Sequence, residues 1–399
     1  MSAATVLDVV CSPIVLDPRQ NPPVAPPRAA PYRSREFDRR RDALTLLADI
    51  FRDETGAVRA VGPPVGPRWR QQGVLRAACA TSGQPCEVEM APHRNTLLAQ
   101  HYRFRPAPTS GGLLVSAAGQ QEARAVQPYL GAWFAGRRVL MAVVCDNRLE
   151  WVADWARFHQ VHHGVDAVLL FDNRSTAYAG GDLARAVAAV PGIAVVAVVP
   201  WAVGHGSSTG RLGWRRTDMN HGQAVAFALA RRRFLAEAAW VLNVDIDELA
   251  VPLAGPTIDD LFAASGAAVL SLPVQDLLGR AGAMPDPPRH RDVLLSTAPP
   301  HFERPKWAAV PARCPRHASW GIHVVDHAPT TVADPAVLLV AHCRSLTTGW
   351  DGRHGRRAGI DRATPGVTEE TALGTRMAEA FDGWEPPTEP WGAAEAGSR

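Results

Sequence analysis

Between about residues 138 and 272 the chain alternates two textures. Short, largely apolar runs at 139–145, 167–171, 193–199, 240–244 and 268–272 are separated by segments whose apolar residues recur at helical spacing. Runs of this kind suit strands buried on both faces, and the β-α alternation predicts an α/β domain with a mainly parallel sheet. The first intervening helix carries Leu149, Trp151, Val152, Trp155 and Phe158. Further helices are expected at 181–190, about 220–238 and 258–264. A last apolar strand is expected at 336–341 and a terminal helix at 369–381. Upstream, Phe37, Leu44, Leu47, Ala48 and Phe51 recur at helical spacing behind Ser34 as a cap, which predicts a helix. From 58 to 125 short alternating runs are broken by Gly, Pro and Ser, which reads as a small β-rich region. The resulting division is a disordered, proline-rich lead-in over 1–33, a helix plus β-rich accessory region over 34–135, the α/β domain over 136–357, and a helix and tail over 358–399.

Composition adds three constraints. At 46% hydrophobic residues over 399 positions the chain can fill a sizeable core. Basic and acidic residues nearly cancel, at 42 against 39, which argues against nucleic acid as a partner. Lys306 is the only lysine, and it suggests a place where a compact ammonium suits better than a guanidinium fork. The longest apolar run, 193–203, is too short for a membrane span and contains a proline. No basic leader precedes an apolar segment at the start. The six cysteines show no CxxC spacing, and reduced thiols in a cytoplasmic protein are expected, with peripheral membrane contact left open.

Chemistry is expected at the carboxyl ends of the apolar strands, where ligands of such sheets bind. One strand runs into Asp245-Ile246-Asp247-Glu248. Two acids at i, i+2 on a continuing strand would share a side, and a divalent cation such as Mn²⁺ or Mg²⁺ would relieve their repulsion. A solvated acidic turn has the same spacing. Another strand ends in Asp172-Asn173-Arg174-Ser175, which offers acceptors and donors to a nucleoside, or simply forms an Asx turn. The adjacency of His162 and His163 does not match an HxxxH metal face, and with His159 they read as packing or surface residues, whereas His323 and His342 fall late enough to return to the sheet as ligands. There is no GxxxxGK[ST], GxGxxG or GxSxG motif.

In order, Leu149-Glu150-Trp151 through Asp154-Trp155 and His159, Gly164-Val165-Asp166, Asp172-Asn173-Arg174-Ser175, Gln223-Ala224, Asp245-Ile246-Asp247-Glu248, Lys306 to Pro311, Ile322-His323 and His342-Cys343-Arg344-Ser345 resemble GT-A-fold glycosyltransferases of the family-2-like and family-92-like (DUF23-type) branches. The resemblance spans about 138–357. It departs at Asp146-Asn147, where the family carries Asn-Glu, at Asp154 in place of Glu, and at Cys343 in place of Tyr. It implies a GT-A-like (Rossmann-like) sheet flanked by helices, and a metal-dependent transfer of sugar from a nucleotide-sugar donor to a glycan or other hydroxyl acceptor, in polysaccharide biosynthesis among other settings. Asp245 and Asp247 would hold Mn²⁺ or Mg²⁺, with His323 or His342 as a further ligand. Asp172, Asn173, Glu150, Gln223, Arg304, Lys306 and Arg344 would meet the donor. Asp276 or Glu248 would serve as catalytic base. A nucleotidyltransferase and a non-catalytic nucleotide-sugar- or glycan-binding protein are the competing readings.

Overall fold

The computed structural model describes residues 3–19, 33, 35–66, 75–90, 99–108, 111–206, 221–280, 285–297, 300–346 and 367–386. The segment 20–32, the proposed cap Ser34, the first residue of the helix expected at 220–238 and most of the tail lie outside them.

An eight-stranded sheet forms the centre. Its order is Thr5–Leu7, Val195–Pro200, Ala167–Asp172, Arg138–Val144, Trp240–Asn243, Lys306–Ala309, Val269–Leu272 and Thr330–Val332. The first five run parallel; Lys306–Ala309 is antiparallel to both of its neighbours. Alternate side chains explain the unbroken apolar runs. Leu140, Ala142, Val144, Val168 and Leu170 enter one core cluster, and Val139, Met141, Val143, Leu169 and Phe171 enter another, so both faces of these strands are covered. The helix Leu149–His163 packs on one face and ends at Gly164, whose φ of 63° closes it in the left-handed conformation.

The expected mainly parallel, Rossmann-like (GT-A-like) architecture is corrected. Strand residues outnumber helical ones, and the sheets are mixed or antiparallel. Strands between residues 49 and 125 form a seven-stranded, wholly antiparallel sheet, which starts before the β-rich region expected from 58. It is nearly closed, because Gln127, just past its last strand, pairs back onto Phe51 in the strand at the other edge. A third sheet joins Glu248–Val251, Leu339–Cys343 and Val274–Leu277. The helix expected behind Ser34 is confined to Arg35–Arg40. The Asp42 carboxylate accepts from the Leu44 and Thr45 amides, a local bond that competes with helix, and Thr45–Leu47 and Asp49–Arg52 become strands. Thr5–Leu7, placed in the lead-in by the sequence, is an edge strand.

Two polar clasps hold these parts together. Arg233, 1% exposed at its side chain, donates to Asp49 Oδ2 at 2.8 Å and so ties the antiparallel sheet to the helical segment after His221–Leu229. His159 accepts from the Ala250 amide at 3.0 Å, while His163 Nε2 lies 2.8 Å from the Ala250 carbonyl oxygen. These bonds seat the Leu149–His163 helix on the Glu248–Val251 strand. Burial holds both imidazoles neutral, pushing His163 down to about 4. Among the described residues no helix is long and apolar enough to cross a membrane.

Replacing Arg233 with Met should leave the Asp49 carboxylate buried and unpaired, and lower unfolding free energy by about 3–5 kcal/mol in chemical denaturation. A loss below about 1 kcal/mol would contradict the clasp. The histidines set a pH dependence. Their folded pKa values lie below the unfolded value near 6.5, so the stability they contribute is complete above that pH and is lost as pH falls towards 4. For His163 alone this amounts to about 3 kcal/mol. His163→Gln should flatten that part of the stability–pH curve.

Candidate functional site

The strand Trp240–Asn243 leaves the central sheet at Val244 and turns at once. The Glu248 amide donates to the Asp245 carbonyl at 3.0 Å, and the Asp245 amide donates to Glu248 Oε2 at 2.7 Å. Ile246 is buried, and its carbonyl oxygen sits 2.8 Å from Nε2 of the fully buried His290. The segment is therefore a tight turn, and the two acids do not share one partner as a continuing strand would have them do.

Asp245 faces Lys306. The ammonium, 2% exposed, binds Asp245 Oδ2 and lies 2.9 Å from Glu248 Oε2. Gln223 donates to Asp245 Oδ1 at 3.2 Å from the helix His221–Leu229. That helix starts close to the Gly204–His205 backbone, and a Cβ on Gly222 would stand 2.5 Å from the Gly204 carbonyl oxygen. Burial opposes every charge in the group. At Asp245 the lysine outweighs burial and holds the carboxyl below its usual range; at Glu248 burial and the Asp245 charge win and raise it. The two carboxylates outweigh burial at Lys306 and keep its ammonium charged. The burial of Lys306 removes it from direct contact with a donor phosphate, so its geometry is that of a counterion.

Asp247 faces His342 instead, with Nε2 at 3.3 Å from Asp247 Oδ2. Strand register explains the rest of the set. Glu248 pairs with His342 across one ladder, and His342 pairs with Asp276 across the next. The segment 301–303 adds a fourth, antiparallel row, with the Asp276 amide donating to the His301 carbonyl and Gln275 opposite Phe302. Directly opposed residues share a face, so Glu248, His342, Asp276 and His301 form one row, and Arg344 and Glu303 follow two residues along their own strands. Arg344 Nε donates to Asp276 Oδ1 at 2.7 Å, and Arg344 also binds Glu303 Oε1. His301 Nδ1 lies 3.0 Å from Asp276 Oδ2. His342 Nδ1 is 3.3 Å from both Asp276 Oδ1 and Glu303 Oε2. Burial disfavours the His342 imidazolium, but the carboxylates around it, Asp247 first, outweigh burial and hold its pKa well above the usual value.

The expected ligand set, Asp245 and Asp247 with His323 or His342, is not brought onto a common point. Among the described residues, the group whose potential ligand atoms converge, all within 4.8 Å, is Asp276, His301 and Glu303. His323 lies 3.2 Å through Nδ1 from the Pro305 carbonyl, and burial with the nearby lysine charge brings it down to about 4. Asn243 fixes its loop by donating to the Ile322 carbonyl at 2.9 Å. Of the two candidate bases, Glu248 is committed to Lys306 and to the Asp245 amide, and Asp276 to Arg344 and His301; the geometry gives neither a free path to an acceptor. His301 and Glu303 escaped the sequence reading. Their i, i+2 spacing just before Lys306 was the available signal.

The nucleoside-side candidates divide. Asp172 ends its strand half-buried and accepts from the Ser175 amide at 3.1 Å. It stands two strands from the Asp245 turn, a lateral offset of about 10 Å. Asn173 is buried, and its amide is spent on the Trp201 and Val203 carbonyls. Asp146, which the sequence reading treated only as a departure, pins the same loop by accepting from the Thr176 and Ala177 amides. Glu150 opens its helix 3.5 Å from Arg148, and Arg304 is exposed two residues before Lys306. Asp154 is clamped by Arg289 and Trp384 and is structural. All six cysteines are free thiols.

Lys306→Arg should force a larger fork into a filled site and cost about 1–3 kcal/mol. Lys306→Met should cost more, about 3–5 kcal/mol, by leaving two carboxylates uncompensated. Thermal melts that place Lys306→Arg at the wild-type Tm would refute the buried counterion. No protein-family model matches this chain, and no curated protein matches it in sequence.

Proposed function

We propose that the chain is a cytoplasmic, metal-dependent glycosyltransferase that moves a sugar from a nucleotide-sugar donor to a hydroxyl acceptor such as a glycan. The observation that carries the reading is the charge set at the carboxyl-end turn of the central sheet. With all carboxylates ionised, Asp245, Asp247, Glu248, Asp276 and Glu303 face three cations, Lys306, Arg344 and the His342 imidazolium. Two negative charges are left over, the amount a divalent cation offsets. Such a cation, when bound, would stabilise the charge that develops on a nucleoside diphosphate leaving group. Asp172, at the end of a parallel strand two places away, would accept from a ribose or base, and the exposed Arg304 would meet a phosphate. Lys306 and Gln223 hold Asp245, and Arg344 holds Asp276 and Glu303, so the acidic face is fixed before a donor arrives. The free thiols fit a reducing compartment.

Incubating the protein with a panel of nucleotide sugars and Mn²⁺, and separating the products, tests the proposal. Release of a nucleoside diphosphate with transfer of the sugar is expected. Release of pyrophosphate would replace the reading with nucleotidyl transfer. Asp172→Ala should raise the donor KM about 10–100-fold, the range of a lost charge-assisted hydrogen bond.

A further inference from the structure

We propose that Asp276, His301 and Glu303 form a divalent-cation site, distinct from the Asp245–Asp247 pair. Three observations carry it. The ligand atoms of the three residues lie within 4.8 Å of one another, and the set mixes one imidazole with two carboxylates. Arg344 grips the pair from one side only, by Asp276 Oδ1 and Glu303 Oε1. Of the opposite oxygens, Asp276 Oδ2 meets His301 Nδ1 at 3.0 Å and Glu303 Oε2 lies 3.3 Å from His342 Nδ1. On the inner side, Nδ1 of His342 lies 3.3 Å from both Asp276 Oδ1 and Glu303 Oε2. The outer side, where His301 is 65% exposed, is the way in.

The Asp245–Asp247 pair is already served. Asp245 has Lys306 and Gln223, and Asp247 has His342, each on a carboxylate oxygen. A cation placed there would have to displace a buried ammonium that two carboxylates hold. The triad needs no such displacement. Its nitrogen ligand favours a first-row transition ion over Mg²⁺, which prefers oxygen.

The site shares Asp276 and Glu303 with the acidic face of the transferase reading, but it is tested with the metal and no nucleotide, so the two can fail separately. Mn²⁺ binding to the full chain is followed by electron paramagnetic resonance of the free ion, with circular dichroism to confirm folding. The wild type should bind one Mn²⁺, with Mg²⁺ a weak competitor. His301→Ala, at an exposed position, and Glu303→Gln should each weaken Mn²⁺ binding about 10–100-fold, at least the loss that second-sphere partners of a metal cause. Asp247→Asn should change it less than about threefold. Wild-type affinity in His301→Ala and Glu303→Gln, a wild type that binds no Mn²⁺, or a loss in Asp247→Asn as large as in His301→Ala would overturn the proposal. A failed nucleotide-sugar screen would leave it untouched.

Discussion

A buried ammonium shared by two carboxylates governs the geometry of this protein's acidic face. Lys306 enters on an antiparallel strand inserted between Trp240–Asn243 and Val269–Leu272, and it meets Asp245 and Glu248 from inside the fold. Leaving either carboxylate there without its partner is expensive, so the turn from Asp245 to Glu248 must close tightly around the lysine. That closure turns Asp247 away from Asp245 and towards His342. One internal cation thus separates two acids that their spacing would have paired.

The remaining charges follow from strand register. His342 lies in the middle strand of its sheet, opposite Glu248 on one side and Asp276 on the other, and the segment 301–303 extends the row by one strand. Acids and bases therefore alternate across one face, with Arg344 binding the outer two acids together. The seven-stranded antiparallel sheet contributes at a distance. Through Asp49 and Arg233 it steadies the helical segment that begins at His221, and Gln223 near the start of that segment holds Asp245.

The apolar runs at 139–145 and 167–171 were legible because strands covered on both faces must be apolar at every position. Their observed bounds, Arg138–Val144 and Ala167–Asp172, differ by a residue. The helix expected through Phe51 was not, because a side chain of Asp42 outcompetes the backbone, and a helical period arose by coincidence in two strands. The mainly parallel sheet failed for a related reason. Lys306–Ala309 is four residues long, too short to announce a strand, yet it runs against both of its neighbours and makes the central sheet mixed. At the site, acids on strand ends were visible as a pattern. Their partners were not: Lys306 reaches Asp245 across 61 positions and Arg344 reaches Asp276 across 68. His301 and Glu303 sit in a proline-bounded stretch without periodicity, so only register reveals that they face Asp276.

The central claim is that internal cations occupy the Asp245–Asp247 pair and that an external cation goes elsewhere on the same face. Anomalous diffraction from crystals soaked in Mn²⁺ addresses it directly. The account predicts a peak among Asp276, His301 and Glu303, with Lys306 still between Asp245 and Glu248. A peak bridging Asp245 and Asp247, with Lys306 displaced, would contradict it.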